Sequence, residues 1–453
     1  MKKILIIGIL NIIFLSLVAF FTYNYVISKK NRVKILEQEI LKLQSEIDSS
    51  PNYQKSLILS DFSTQKFTIK NINYILKKKK VSGLTTSKHP GSIGNSYLQS
   101  SDGKLFVVSA NGIFSFINLN SFFLEKSELK IISSNIKEIV KDPKFYGRAA
   151  YGIKDLLIHK NKFYISYTNE FKKNCYNTSI LVADLNTNRL SFKKFFEPKE
   201  CIRSSNEEYS PHQSGGRMVP YKDNNILFTV GEYRFRDHAQ NQNNIFGKIL
   251  SVNLSSKKIS IISMGHRNPQ GLFFDNKKNI VFSTEHGPAG GDEININFYP
   301  GKKVKNFGWP ISSYGEHYKE GGIAYHTGYG RNERENKKYK KWPLYKSHKE
   351  HGFLEPLKYF TPSIAISEII SINQNFNTIS EHQLFVSAMG NKIDEGDMSL
   401  HWFILDKNFK INSHEIVKLN ERIRDLTYDE NLNKIFLFLE SSASIGVLYV
   451  DAN

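Results

Sequence analysis

The sequence predicts an all-β fold, a six-bladed β-propeller that follows an N-terminal transmembrane helix and a short helical stalk. Three observations support this prediction. Tyrosine and phenylalanine, which favour pleated strands, occur 23 and 32 times in 453 residues. Short β-rich runs recur along most of the chain, and an apolar segment followed by a heptad-like segment precedes the first of them.

The β-rich runs have the spacing that propeller blades require. Six of them begin with a polar residue and continue with aliphatic and aromatic side chains: Lys104–Ser109, 162–167, Asn225–Val230, 279–284, 383–388 and Lys434–Leu439. They usually recur at intervals of roughly 50–65 residues, the length of a four-stranded sheet with its turns. Six runs predict six blades over residues 65–453. The longer gap at residues 307–362 predicts a loop excursion above one face.

The N-terminus predicts an anchor. Residues 4–27 are apolar apart from four polar positions, and this stretch is long enough to span a bilayer as a helix. Aromatic residues follow the apolar core where a cleavage site would have small ones, so residues 1–30 are interpreted as an uncleaved signal anchor. Positive residues flank both ends, and flanking charge therefore does not fix the orientation.

A heptad-like pattern follows the anchor within residues 31–50. Val33, Leu36, Ile40, Leu43 and Ile47 are spaced three and four residues apart, as on the apolar seam of a coiled coil. The pattern is shorter than the three or four heptads that identify a coiled coil. Two alternatives remain open: a stalk that pairs two chains into a weak homo-oligomer, or a helix that packs on the following domain.

The charge balance is basic without pointing to nucleic acid. The formal net charge is +19, but the lysines are scattered and no nucleic-acid-binding signature is present. We therefore expect a solvated lysine-rich surface and no nucleic-acid partner. Attraction to anionic lipid headgroups is the second interpretation, given the predicted anchor.

The two cysteines, Cys175 and Cys201, are too few for a cysteine-based metal site. In an exported chain they could form a disulfide that closes a loop. The alternative is a pair of buried free thiols.

Three segments in the second half of the chain are more specific than the periodicity. They are Gly265-His-Arg-Asn-Pro-Gln-Gly271, Thr284-Glu-His-Gly-Pro-Ala-Gly-Gly-Asp-Glu-Ile-Asn295 and Asn306-Phe-Gly-Trp-Pro310. Together they closely resemble the glucose/sorbosone dehydrogenase family, whose members are six-bladed propellers that use pyrroloquinoline quinone (PQQ) and calcium. The resemblance runs from about residue 156 to the C-terminus and favours an exported C-terminal domain, anchored to the inner membrane and facing the periplasm.

The resemblance implies a set of cofactor-binding residues. PQQ is a planar tricarboxylate orthoquinone, which guanidinium groups recognise by bidentate pairing. The residues that match the family's cofactor contacts are Arg267, Asn268, His286, Lys392, Arg422 and Arg424. The backbone carbonyls of Gly287 and Pro288 match its calcium ligands, and calcium prefers oxygen. The loop that contains Lys392 has extra residues, so this lysine either reaches the cofactor by a different path or the contact is missing.

The resemblance also implies the catalytic base. His212 lies in the segment Pro211-His-Gln-Ser-Gly-Gly-Arg217, where Arg217 is one residue later than in the commonest family spacing. An imidazole can remove the sugar hydroxyl proton while hydride moves to the quinone. The implied reaction is oxidation of an aldose to its lactone. The alternative is a non-enzymatic envelope propeller that binds glycan or protein, since a fold does not fix a function.

Overall fold

The computed structural model describes residues 25, 27–29, 31–32, 56–86, 94–318, 333–372 and 376–451. The chain divides into two units, Met1–Lys55 and Ser56–Asn453. The few described residues of the first unit are helical. The predicted anchor and the predicted heptad helix lie almost entirely outside the described residues. Within the part that is described, no helix combines the length and the apolar character needed to cross a membrane.

The second unit is built from strands that begin at Ser56, earlier than the predicted boundary at residue 65. Its strands, in chain order, start with β1 (Ser56–Leu59), β2 (Ser63–Ile69) and β3 (Ile72–Lys80). Blade 1 contains β4 (Ser96–Ser101), β5 (Lys104–Ser109), β6 (Phe114–Asn118) and β7 (Ser127–Ser134). Blade 2 contains β8 (Ile153–His159), β9 (Lys162–Lys172), β10 (Cys175–Asp184), β12 (Lys193–Phe196) and β13 (Ile202–Arg203). The short strand β11 (Arg189–Leu190) pairs with β7 and so extends the sheet of blade 1.

The remaining four blades follow the same plan. Blade 3 contains β14 (Gly215–Tyr221), β15 (Asn225–Val230), β16 (Lys248–Asn253) and β17 (Ile259–Met264). Blade 4 contains β18 (Pro269–Asp275), β19 (Ile280–Glu285), β20 (Asp292–Phe298) and β22 (Lys358–Phe360). The short strand β21 (Lys305–Asn306) pairs with β17 and so extends the sheet of blade 3. Blade 5 contains β23 (Ile366–Ile372), β24 (His382–Ala388), β25 (Ser399–Leu405) and β26 (Ile411–Lys418). Blade 6 contains β27 (Ile423–Asp429), β28 (Lys434–Leu439) and β29 (Ser444–Val450).

Short helices connect some of the strands. They are Leu119–Phe122, Ile136–Ile139, Pro143–Gly147, Arg236–Gln240 and Glu333–Lys341, with 3-10 turns at Ala149–Tyr151, Lys349–His351 and Ile393–Glu395. The helix Glu333–Lys341 lies in the long connection that precedes β22. The described part of this connection contains no blade strand between β21 and β22, and β22 itself lies within the range 307–362 of the predicted excursion.

The all-β six-bladed prediction is confirmed. The described strands form six sheets, and each of the six β-rich runs in the sequence contributes the second strand of one sheet. These second strands are almost fully buried, because each lies inside its own sheet and the sheet packs against neighbouring blades. A strand buried on both faces has a nearly continuous apolar sequence. This is why these six strands carry the clearest signal.

The ring of blades is closed by strands from both ends of the second unit. Strand β3 pairs with β29 in the register Ser444↔Lys80 to Val450↔Tyr74, and so supplies the fourth strand of blade 6. Strand β1 pairs with β7 at the edge of blade 1. Aromatic contacts also cross the junction of blades 1 and 6, where the rings of Phe122 and Phe436 meet edge to face at 5.8 Å. Opening the ring would therefore break a β-ladder as well as a hydrophobic core.

The two cysteines form the disulfide Cys175–Cys201. The bond ties the start of β10 to the segment just before β13, and no free cysteine remains. The structure thus favours the disulfide over the buried-thiol alternative.

The innermost strands β4, β8, β14, β18, β23 and β27 contact one another in a closed ring around the propeller axis. In all but β4, the register against the second strand shifts near the start of the innermost strand because one extra residue is inserted. Such a bulge breaks the alternation of side chains. Successive residues can then both face the channel, as Lys154 and Asp155 do in β8 and Arg424 and Asp425 do in β27.

Arg217 lies at the centre of this channel. Its Nη1 is 3.2 Å from Asp155 Oδ1, 2.9 Å from Glu368 Oε2 and 2.7 Å from Asp425 Oδ1, so carboxylates from blades 2, 5 and 6 converge on one guanidinium from blade 3. The same carboxylates also accept backbone N–H groups of neighbouring blades, at Met218, Leu272 and Leu98. All four side chains are at least nine-tenths buried. This set is called the Arg217 cluster below.

The remaining two blades also contact Arg217. Its Nε donates to the carbonyl of Gln270 in blade 4 at 2.6 Å, and its guanidinium lies 5.1 Å from the centre of the Tyr97 ring in blade 1. Its Nη2 donates to the carbonyl of Arg424 at 2.9 Å. One side chain therefore touches all six blades and fixes the heights of their innermost strands relative to one another.

The Arg217 cluster has more acid than base. Burial is the main cause that raises the pKa of Asp155 to about 7 and of Glu368 to about 8, while Arg217 lowers both and Asp425 raises both. Carboxyls with raised pKa values bind protons in the folded state that they release in the unfolded state near neutral pH. Their contribution to the free energy of unfolding is therefore lost as the pH rises from about 4 towards 8.

We predict that Arg217→Met lowers the free energy of unfolding by about 3–5 kcal/mol at pH 8, because three buried carboxyls lose their cation. The loss should be smaller at pH 5, where Asp155 and Glu368 are protonated. Urea unfolding at the two pH values measures both quantities. Arg189→Met, at an exposed position, is the control and should change the free energy by less than about 0.5 kcal/mol. An Arg217→Met variant as stable as the control would contradict the structural role of Arg217.

Candidate functional site

The amino-terminal ends of the innermost strands surround a cavity of about 400 Å³ on one face of the propeller. A second cavity, of about 420 Å³, opens towards the carboxyl-terminal ends of the same strands and has Arg217 and its three carboxylate partners in its lining. The Arg217 cluster thus forms a floor between the two. We call the first space the upper cavity. All six blades contribute to its wall.

The upper cavity contains most of the residues that the sequence singled out. Its lining includes His212, Arg267, Asn268, His286, Arg422 and Arg424. These six residues come from blades 3, 4 and 6, and the first and the last of them are more than 200 positions apart in the sequence. The fold brings them together because each lies at, or next to, the start of an innermost strand or in the loop after a second strand.

Arg267 and Asn268 precede β18 and are held in place by backbone groups. Arg267 Nη1 donates to the carbonyls of His286 and Gly287 at 2.8 and 2.6 Å. Asn268 Oδ1 accepts the backbone N–H of Gly215 at 3.2 Å. Both side chains are about 5% exposed, so they reach the upper cavity with their orientations fixed from behind.

The loop after β19 presents His286 to the upper cavity. Asp292 holds this loop, since its two carboxylate oxygens accept the backbone N–H groups of Gly287 at 2.9 Å and Ile366 at 3.0 Å. Desolvation lowers the pKa of His286, so its imidazole is neutral near pH 7. Its Nε2 is buried and has no hydrogen-bond partner in the structure. A buried polar atom without a partner marks a position that a ligand can satisfy.

The carbonyls of Gly287 and Pro288 accept hydrogen bonds from the cavity side. Gly287 O accepts from Arg267, and Pro288 O accepts from the Tyr318 hydroxyl at 3.1 Å. Each carbonyl has a second lone pair. The described residues contain no group of three or more acidic, histidine or cysteine side chains that would hold a metal by themselves. Calcium takes six to eight oxygen ligands, so these two carbonyls could supply only part of a calcium site.

Arg422, which immediately precedes β27, and Arg424, at the bulge of β27, both line the upper cavity. Both Nε atoms face the fully buried carboxylate of Glu440, which Arg422 approaches to 3.4 Å. Arg422 Nη1 also donates to the carbonyl of Met389. The pair is salt-bridged but not on the surface, and one carboxylate neutralises only one of the two charges. An excess positive charge therefore remains at this wall.

His212 lies opposite this wall, in the turn before β14. Its ring is exposed to the upper cavity, and the cavity also contains Lys154, Arg234 and Arg424. Desolvation by the surrounding walls, together with these three cations, lowers the pKa of His212 to about 4. The imidazole is therefore neutral near pH 7 and able to accept a proton.

Lys392 is not brought to the upper cavity. Its side chain is 71% exposed and its ammonium lies 2.9 Å from Glu395 Oε1 within the same loop. The extra residues of this loop form a 3-10 turn at Ile393–Glu395, and Asp397 accepts the backbone N–H of Lys392, which directs the lysine outward. Of the two alternatives for this residue, the structure favours a missing contact.

Two cavity cations were not found from the sequence. Lys154 lies at the bulge of β8, and Arg234 follows Tyr233 in a turn where both residues have positive φ. No motif surrounds either residue. A lysine on the innermost strand of an early blade is the signal that could have pointed to Lys154, but bulges cannot be located from alternation alone.

The upper cavity is strongly positive. Among its described lining residues, five are lysine or arginine and none is acidic: Lys154, Arg234, Arg267, Arg422 and Arg424. Several carboxylates stand behind this wall, including Glu440 and Glu232. Such a concentration of donors around a closed space is the arrangement that binds a ligand with several carboxylates.

The chain is similar in sequence and fold to known proteins. Residues 115–445 match the sequence model of the family described as Glucose / Sorbosone dehydrogenase. An aldose sugar dehydrogenase of Escherichia coli (strain K12) is 29% identical over 191 residues, which are 39% of this chain and 45% of that protein. Quinoprotein glucose dehydrogenase B of Acinetobacter calcoaceticus is 32% identical over 145 residues, 25% of this chain and 28% of that protein. These matches span half or less of the curated relatives.

Solved structures share the fold at lower identity. The apo form of the soluble aldose sugar dehydrogenase from Escherichia coli aligns with a TM-score of 0.59 at 19% identity, over 83% of this chain and 100% of that one. The PQQ-bound form of an aldose sugar dehydrogenase from Streptomyces coelicolor aligns with a TM-score of 0.51 at 16% identity, over 83% and 98%. The family match covers more than half of the sequence and contains the motifs that line the upper cavity. The chain belongs to the glucose/sorbosone dehydrogenase family.

Proposed function

We propose that this protein oxidises an aldose at its anomeric carbon to the lactone, with PQQ and calcium as cofactors. The observation that carries the proposal is the upper cavity, a space of about 400 Å³ whose described lining has five lysine and arginine side chains and no acidic one. A sugar is neutral and does not require such a charge. A tricarboxylate cofactor does.

The residues present suit PQQ. Its carboxylates match the guanidinium groups of Arg267, Arg422 and Arg424, which are rigidly held and point into one space. The unpartnered Nε2 of His286 offers a further contact to a quinone or carboxylate oxygen. These four side chains would hold the cofactor on the side of blades 4 to 6, facing His212.

Calcium would bind together with the cofactor. The carbonyls of Gly287 and Pro288 lie beside Arg267, and the cofactor and water would have to supply the remaining oxygen ligands. When bound, the pair supplies an orthoquinone that accepts hydride and a Lewis acid that polarises it. We therefore expect calcium affinity to depend on the presence of PQQ.

His212 is the proposed catalytic base. Its neutral imidazole accepts the proton of the sugar's anomeric hydroxyl as hydride leaves the anomeric carbon. A carboxylate-bearing ligand in the cavity would offset the charges of Lys154, Arg234 and Arg424, which lower the pKa of His212 in the free protein. Its pKa in the loaded enzyme should therefore rise from about 4 towards the ordinary 6.5.

The proposed location is the periplasmic side of the inner membrane, with residues 1–30 as the anchor. The apolar length of residues 4–27 supports an anchor, and the disulfide Cys175–Cys201 supports an oxidising compartment. In this arrangement the propeller meets sugars before they enter the cytoplasm.

The test of the proposed function uses the chain from residue 50 onward, loaded with PQQ and calcium. We expect saturable PQQ binding by absorbance and calorimetry, and reduction of an electron-accepting dye when aldoses are added. Omission of PQQ, or chelation of calcium, is the control and should remove the dye reduction. Absence of PQQ binding would contradict the dehydrogenase proposal. It would favour the alternative, a non-enzymatic binding protein of the envelope.

A second prediction concerns His212. His212→Ala should lower kcat by roughly 10²–10⁴-fold, the range for loss of a general base, while PQQ binding changes little. In the wild type, kcat/KM should fall as the pH drops through the range between 4 and 6.5. His351→Ala, an exposed histidine stacked on Tyr345, is the matched control and should retain full turnover. Turnover that persists in His212→Ala would remove His212 from the role of base.

A further inference from the structure

The upper cavity contains a buried lysine that has no carboxylate partner among the described residues. Lys154 is 8% exposed and lies in the cavity wall at the start of β8. Its ammonium donates one hydrogen bond, to the carbonyl of Ala149 at 2.7 Å. An ammonium has three N–H donors. The charge that acts on it most among the described residues is that of Arg424, which is also positive.

Buried cations in proteins are normally paired, because removing an ammonium from water costs several kcal/mol or more. The other cations of the upper cavity follow this rule in part. Arg422 and Arg424 share Glu440, and Arg267 donates to two carbonyls. Lys154 has no such compensation in the described structure. Its burial is explained if an anionic ligand completes the site.

The fold fixes the direction of this side chain. The bulge between Ile153 and Asp155 takes Lys154 out of the alternation of β8. Asp155 instead turns to Arg217, in the floor of the upper cavity. Gly216 of blade 3 packs against the lysine stem, since a Cβ at that position would lie only 2.3 Å from Lys154 Cβ. The stem is therefore enclosed by two blades and its ammonium is left at the cavity.

We propose that Lys154 is the lysine that pairs with a carboxylate of bound PQQ in this chain. It supplies the ammonium that Lys392, exposed and paired with Glu395, does not bring to the cavity. This inference rests on the proposed function, because it requires a polycarboxylate in the upper cavity.

The pairing has a measurable consequence for protons. Desolvation, followed by the charge of Arg424, lowers the pKa of Lys154 to about 7, and His212 of the neighbouring blade 3 is neutral above pH 6. Asp155 faces away, towards Arg217. A carboxylate placed beside Lys154 raises its pKa again. PQQ binding at pH 8 should therefore take up protons, and affinity should fall as the pH rises above 7.

The experiment measures PQQ binding with calcium at pH 8, by calorimetry in two buffers of different ionisation enthalpy. The wild type should take up a proton fraction approaching one. Lys154→Met should bind roughly 10- to 100-fold more weakly, the range for loss of a hydrogen bond to a charged group, with a smaller uptake. Lys154→Arg keeps the charge but does not titrate. It should retain most of the affinity and lose the uptake.

Each outcome separates the two proposals. A wild type that does not bind PQQ overturns the proposed function and this inference with it. A wild type that binds, beside Lys154→Met and Lys154→Arg variants with unchanged affinity and unchanged proton uptake, overturns only the role of Lys154. Lys392→Met is the comparison: a loss of affinity there, without one in Lys154→Met, assigns the contact to Lys392. If Lys154→Met does not fold, as judged by its unfolding midpoint, proton uptake in Lys154→Arg decides the question.

Discussion

The structure depends on the ion pairs of Arg217. One guanidinium from blade 3 meets carboxylates from blades 2, 5 and 6 and touches the other two blades through a carbonyl and an aromatic ring. Sheets arranged around an axis pack against each other through apolar faces, which do not by themselves fix how far one sheet slides past the next. Hydrogen-bonded charges at the axis do fix it. The positions of the cavity residues follow from that alignment.

The channel also separates charge by height. The bulges at the start of five innermost strands place successive side chains on different levels, so that Lys154 and Arg424 line the upper cavity while Asp155 and Asp425 join the Arg217 cluster beneath it. The upper level has excess positive charge and the lower level has excess acid. A polyanionic ligand above the floor would balance the excess positive charge of the upper level. The raised pKa values of Asp155 and Glu368 reduce the negative charge of the lower level. As far as the described residues show, the upper cavity therefore stays positive with no carboxylate in its own lining.

The sequence predicted the number of blades and most of the cavity wall, for two different reasons. The second strands are buried on both faces and give continuous apolar runs, which made six blades countable. The residues around Arg267, His286 and Arg422 lie in motifs specific enough to identify the family. The first two strands, β1 and β2, were harder to predict, since β2 is mostly exposed and β1 is a short edge strand.

The rest of the site could not be predicted because it depends on small irregularities of the backbone. A one-residue bulge decides that Lys154 faces the upper cavity, and a 3-10 turn decides that Lys392 faces solvent. Neither leaves a periodic signal. Similarly, Arg217 was recognised only as a residue displaced by one position from a family motif. Its place at the axis emerged once the partners from the other five blades were brought together.

The most direct test of this account is a crystal structure of the chain from residue 50 onward, grown with PQQ and calcium. The account predicts density for one PQQ molecule in the upper cavity, its carboxylates within hydrogen-bond distance of Arg267, Arg422 and Arg424, and its quinone facing His212. PQQ bound in the lower cavity beneath Arg217, or an upper cavity that stays empty at saturating PQQ, would contradict it.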